Sequence, residues 1–238
     1  IYTVIFFCIP CLVSAEIPAK KEVSDQVVSG KNYFVFGLGI GSMQQNDRFV
    51  ALEDAGASFI KVQQPYAVNT VLGTVYTGFE TFQGFTYLGA FIYGTLTPLN
   101  KKIYCSSLNG DTMEEIFVRA SGSIGTKLHF GVKLNDVTPY GILGIQYGPR
   151  YMRYVVKYGG ANPDITYKNK SPIFLFGIGL MGDVSDNMSL GIECIHKTSR
   201  EFNVQLPNSS GDLSEDFLRV NTARWSVTLN LTYRINIG

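Results

Sequence analysis

The residues that could do chemistry in this chain lie in a few short stretches. Gly177-Ile178-Gly179-Leu180-Met181-Gly182 has the spacing of a dinucleotide-binding turn. It follows the apolar run Ile173 to Phe176, and a carboxylate, Glu201, comes about twenty residues later. That chemistry needs a helix whose N-terminus receives the pyrophosphate. Here Asp183 to Asn187 is turn-like and a second alternating segment follows, so these glycines are expected to line the interior of a strand. No nucleotide or other cofactor is expected. In His196-Lys197-Thr198-Ser199 an imidazole and a hydroxyl two residues apart share one face of a strand and could act as base and nucleophile. Glu193 and Glu201, the carboxylates that would orient the base, have the opposite parity, so no catalysis is expected.

A third group is electrostatic. Glu115, Arg119, Lys127, His129, Lys133, Glu193, Lys197 and Arg224 fall on the same side of alternating segments. Buried there, such charges must be paired, which predicts an internal salt-bridge network; a selective pore lined by them is the alternative. His129 and His196 have opposite parity and no Cys or His cluster has metal-ligand spacing, so no metal is expected. Asp212, Glu215 and Asp216 in one connecting stretch, and Lys157, Lys168 and Lys170 in another, are expected at loop tips, either simply solvated or engaged in recognition.

Period-two alternation positions all of these groups. In Glu115 to Leu134 the even positions run Ile116, Val118, Ala120 to Phe130, Val132 and Leu134, while the odd ones are small, polar or charged. Twenty residues of alternation far exceed a usual strand of about five or six. From Asn221 to Ile237 the pattern recurs with the parity reversed, and Phe34, Phe36, Leu38 and Ile40 alternate with Gly37, Gly39 and Gly41. Eight strands are predicted, over 32–42, 67–79, 84–96, 114–134, 137–154, 172–184, 188–204 and 218–237. Long connections (43–66, 97–113, 155–171, 205–217) alternate with short turns at 80–83, 135–136 and 185–187. A two-residue turn at Asn135-Asp136 sets Leu128 opposite Leu143 and Lys127 opposite Gly144; a three-residue turn at Ser185-Asp186-Asn187 sets Glu193 opposite Gly179. In both cases apolar meets apolar outside. Trp225, Tyr233 and Tyr147 are placed as a membrane-interface girdle.

Composition agrees with a membrane barrel. Of 238 residues 45% are apolar and only 16% charged, against about 25% in soluble proteins. Apolar content excludes disorder, and beyond residue 15 no run is long enough for a helical span. A net charge of +1 gives no nucleic-acid footprint. Ile1 to Val13 followed by Ser14-Ala15 reads as the apolar region and cleavage site of a signal peptide whose start is missing. Residues 16–31 then form a short periplasmic lead and 32–238 the barrel. Cleavage would remove Cys8 and Cys11; Cys105 in a polar loop and Cys194 in a strand are not expected to pair.

Thr138-Pro139-Tyr140-Gly141-Ile142-Leu143-Gly144, with the glycine-rich first strand and the alternating last one, resembles the eight-stranded outer-membrane barrels of the Opacity and OmpX-like class. Asn32-Tyr33-Phe34 and the segment Gly191 to Leu206 are similar to surface antigens of intracellular alphaproteobacteria. The resemblance implies an all-β, eight-stranded antiparallel up-and-down transmembrane barrel in a Gram-negative outer membrane. It implies contact with outer-membrane lipid, a plugged lumen, and an antigen or adhesin-like role whose long extracellular loops meet host or envelope proteins, without nucleic acid or nucleotide. His196 on the lipid-facing side is also similar to the histidine of outer-membrane lipid A deacylases, although that pattern has Ser where Thr198 stands. Barrels of this class end in an aromatic assembly signal, whereas this sequence ends Ile237-Gly238; either the end is altered or Tyr233 and its neighbours carry the signal.

Overall fold

The computed structural model describes residues 30–54, 59–108, 112–158, 164–169, 171–198, 202–207 and 213–238. The predicted export segment, most of the lead after it, and Lys170, Ser199, Glu201 and Asp212 lie outside the described residues. The described elements are strands: β1 (Lys31–Asp54), β2 (Phe59–Gln83), β3 (Thr86–Leu108), β4 (Thr112–Val132), β5 (Val137–Tyr147), β6 (Arg150–Tyr158), β7 (Asp164–Asn169), β8 (Ile173–Ser185), β9 (Met188–Lys197), β10 (Phe202–Pro207) and β11 (Leu213–Asn236). Eight of them close a ring. Each pairs antiparallel with the next in the order β1, β2, β3, β4, β5, β8, β9, β11, and β11 returns to β1 along twenty residues from Tyr33↔Asn236 to Leu52↔Phe217. Closure gives every wall strand two neighbours and removes the free edges that an open sheet would expose. The predicted eight-stranded up-and-down barrel is the architecture observed.

The turns fix the register. Asn135, with φ of 54°, carries the left-handed residue of the Asn135-Asp136 turn, and Leu128 faces Leu143 while Lys127 faces Gly144. At the β8–β9 turn only Asp186 and Asn187 connect the strands, because Ser185 pairs with Met188 and the ladder shifts at Val184. One bulged residue replaces the third turn residue, so Glu193 still faces Gly179 and the parity is unchanged. The β2–β3 turn is Gly84-Phe85 instead of residues 80–83; Gly84 has φ of 60°, which suits a residue without Cβ. Glu80 thereby stays in strand β2 and points inward.

The exterior is an apolar belt. Leu38, Ile40, Val75, Ile92, Leu128, Leu143, Ile178, Ile192 and Leu229 are all exposed, each at least half open to the surroundings except Ile192 at 49%. No soluble protein leaves so much contiguous apolar surface to water. Tyr147 and Trp225 stand near one rim of the belt and Tyr233 near the other. Ten steps along β11 from Trp225 to Ile235, at about 3.3 Å each and tilted about 40°, give a height of about 25 Å, the thickness of a transmembrane barrel's apolar band. The barrel spans a membrane.

Beyond the Trp225 rim the wall parts. β2 pairs with β3 only from Gly73 onward, so the upper halves form two separate sheets, β10–β11–β1–β2 and β3–β4–β6–β7. Pro98 lies within the register shift between Leu96 and Leu99, and Pro149 lies in the break between β5 and β6; neither can donate to a ladder. The stretches 43–66, 97–113, 155–171 and 205–217, expected as connections, are therefore mostly strand, as in the pairing of Leu52 with Lys61. They escaped detection because a strand that meets lipid on neither face has no reason to alternate.

Replacing Leu229, in mid-belt, by Arg should destabilise the barrel by about 2–4 kcal/mol, while Trp225→Arg at the rim should cost about 1 kcal/mol or less. Urea unfolding of protein refolded into lipid vesicles measures both.

Candidate functional site

Inside the ring, residues of the same parity meet across a space that eight strands leave just wide enough for side chains. Tyr76, Phe82, Tyr87, Phe91, Tyr93 and Tyr140 enter it with Val35, Ile142, Leu175, Met181 and Ile195 to form one buried cluster. The large rings fit because glycines face them. Gly37 pairs with Tyr76, Gly125 with Tyr93 and Gly179 with Tyr140, and in each pair a Cβ on the glycine would overlap the ring. Gly177 and Gly179, from the dinucleotide-like motif, thus lie in strand β8, with no helix after them to receive a phosphate.

The charges are threaded among these rings. Lys127 Nζ donates to both oxygens of Glu193, at 2.6 and 2.8 Å, and its ammonium lies 4.8 Å from the Tyr76 ring centroid. Tyr140 donates its hydroxyl to Glu193 Oε1 (3.2 Å), and His129, stacked on Tyr140 at 4.5 Å, brings Nε2 to 3.4 Å from the same oxygen. Lys127 and Glu193 keep only 3% and 5% of their side-chain surface, so each charge depends on the other. Nearer the turns Arg234 binds Glu80 (2.9 Å) and Asp183 (2.5 Å), and Lys133 binds Asp183 (2.8 Å). Tyr87 links the two groups, donating to Glu80 at 3.0 Å with His129 Nδ1 3.2 Å away.

Toward the other rim Tyr93 donates to Gln146 (3.2 Å), Gln146 donates to the Ser123 hydroxyl, and Ser123 bonds Thr95. Lys197 and Arg224 are buried cross-strand partners there. The space left beside Met43, Thr97, Gln146, Ile173, Lys197 and Arg224 is ≈ 20 Å³, room for about one water. Of the predicted internal charges, Lys127, His129, Lys133, Glu193, Lys197 and Arg224 therefore lie within the ring. Glu115 and Arg119 do not. They belong to the part of β4 that pairs with β6 above the rim, where Glu115 binds Lys102 at 2.6 Å and Arg119 is exposed.

Sequence reasoning missed Glu80, Asp183 and Arg234, and it missed the tyrosines as a filling. Arg234 was legible on the polar side of the last strand; Glu80 was hidden by placing the turn too early. The parity of Tyr76, Glu80 and Phe82, continued to Gly84, was the available signal.

On the outside His196 lies between Phe176 (4.9 Å) and Trp225 (4.4 Å). Thr198 donates its hydroxyl to the Phe174 carbonyl at 3.1 Å, and Glu193, the described carboxylate nearest in sequence, is inside on Lys127. The three groups of the deacylase-like reading are not brought together. Among the described residues no group of three His, Cys, Asp or Glu side chains could hold a metal. Beyond the rim Arg153 and Asp164 pair on neighbouring strands at 2.8 and 2.5 Å. The hydrogen bond holds the Asp164 carboxyl below the usual carboxylate range and raises the guanidinium.

No protein-family model and no curated protein sequence matches the chain. Solved structures with a similar course include the outer membrane protease OmpT of Escherichia coli (11% identity, 86% of this chain and 97% of that chain, TM-score 0.47). They also include the attachment invasion locus protein Ail of Yersinia pestis (14%, 85% and 99%, 0.38) and Neisserial surface protein A (12%, 83% and 97%, 0.36). At these identities the likeness stops at architecture, which the strand order already establishes.

Glu193→Gln should strand the Lys127 charge and cost about 3–5 kcal/mol, and the double variant Glu193→Gln with Lys127→Met should recover most of that loss. The urea midpoints of the refolded single and double variants give the comparison.

Proposed function

We propose that the protein is a surface-displayed barrel of a Gram-negative outer membrane, antigen or adhesin-like, whose working parts are the two sheets that rise from its rim. The observation that carries this reading is a contrast along the same strands. Within the belt the lumen is filled with aromatic rings and closed ion pairs. Past the rim β1, β2, β3, β4 and β11, strands of 21 to 25 residues, run on well beyond the roughly ten needed to cross a bilayer. A scaffold serving only to span would end at the girdle, so the extra length supports recognition outside the membrane. The two short described turns at Asn135-Asp136 and Asp186-Asn187 lie at the opposite end and suit the periplasmic side. The filled lumen favours a plug over the porin-like reading, and the scattered positions of His196, Thr198 and Glu193 favour a non-enzyme over a deacylase.

Two measurements check this. With Cys105 and Cys194 replaced by Ser, a cysteine introduced by Thr166→Cys in β7 should react with a membrane-impermeant maleimide on intact cells. One introduced by Asp136→Cys should react only after the envelope is opened, and the reverse pattern would overturn the display. In planar bilayers the refolded protein should show no stable, ion-selective conductance; a large steady current would establish the porin reading instead.

A further inference from the structure

The sheet β3–β4–β6–β7 carries a row of side chains that neither the lumen nor the fold above the rim uses. The registers set Asn100 opposite Arg119, Arg119 opposite Tyr151, and Tyr151 opposite Lys168, so one residue from each of four strands stands in line on one face. Neighbouring strands are about 4.8 Å apart, which puts Arg119 and Lys168 about 10 Å apart at the backbone, with the Tyr151 ring between them. In the adjacent row the cations are engaged: Lys102 with Glu115 at 2.6 Å and Arg153 with Asp164 at 2.5 Å. In this row Arg119 is exposed and makes no ion pair with any described residue. Lys168 holds its ammonium 5.3 Å from the Tyr151 centroid, also with no carboxylate on it among the described residues. Asn100, Arg119 and Tyr151 line a cleft of ≈ 630 Å³, within the size range of small-ligand sites.

We propose that this row binds an acidic saccharide. Sulfate, phosphate or carboxylate groups spaced along the sugar sit on Arg119 and Lys168, the apolar face of a sugar ring lies beside Tyr151, and the Asn100 amide hydrogen-bonds a ring hydroxyl. Two separated cations around one aromatic ring match discrete anionic groups on a hydroxyl-rich frame. A nucleic acid needs a continuous basic track, which Glu115 and Asp164 in the next row interrupt. The same chemistry occurs on free sulfated glycans and on the phosphorylated sugars of a lipid headgroup.

The proposal rests on the display argued above only in needing this sheet outside the membrane, and maleimide labelling at Thr166 reports that independently of binding. The test uses the refolded full-length barrel with two probes: a heparin-derived hexasaccharide in solution, and vesicles containing lipopolysaccharide. At least one should bind, with an uncharged hexasaccharide and a single-stranded oligonucleotide of matched charge as references that bind at least tenfold more weakly. Arg119→Gln and Lys168→Gln should each weaken binding about tenfold and together about 100-fold. Tyr151→Leu should weaken it about tenfold even at high salt, and Lys61→Gln on the other sheet should leave it unchanged. Binding by the hexasaccharide assigns the site to free glycans and binding by the vesicles alone to a lipid-linked sugar. Binding by neither probe, oligonucleotide binding as tight as that of the saccharide, or affinity unmoved by the Arg119 and Lys168 changes would overturn it.

Discussion

The barrel depends on what fills its centre. Eight strands enclose too little space for a water channel and too much to be left empty, so side chains must pack it at close to crystal density. The Glu193 carboxylate stands where that requirement is hardest to meet. It is almost fully buried, accepts two bonds from Lys127 and one from Tyr140, and has His129 at 3.4 Å. Those four side chains come from β4, β5 and β9, so one charge ties together strands far apart in sequence. Tyr87 extends the ties to Glu80 on β2, and through Glu80 to Arg234 on β11.

Filling the lumen governs the glycine pattern as well. Phenol rings can cross the interior only where the strand beside them offers no side chain, which is why Gly37, Gly125 and Gly179 stand opposite Tyr76, Tyr93 and Tyr140. The spacing of Gly177 and Gly179 that imitates a phosphate-binding turn comes from this packing. Outside, lipid imposes the opposite demand, and the same strands present Leu, Ile, Val and Phe at every second position.

Past the girdle neither demand applies. The strands there satisfy their backbone groups by pairing with one another, and their side chains are free to carry charge on an open face. The proline-marked shifts at Pro98 and Pro149 coincide with the level at which one wall becomes two sheets. The change from wall to sheet is thus a change of solvent, read by the same backbone.

The sequence by itself determined what repeats along a strand. Period-two alternation specified the barrel, the apolar exterior and the inward parity of Lys127, His129, Lys133 and Glu193, because a strand's side chains must alternate wherever its two faces meet different surroundings. The turn at Asn135-Asp136 was legible from residue types, and it set a register that the ladder keeps. Tertiary structure alone decided which charges meet. Glu193 and Lys127 are 66 residues apart and Arg234 and Glu80 are 154 apart, and contacts so distant depend on ring closure and on the stagger of every strand between. It also decided where the strands end. Above the membrane both faces of a strand meet water, the alternation that reveals a strand disappears, and hydrogen bonds between strands, which leave no mark in the order of side chains, become the only thing that holds it.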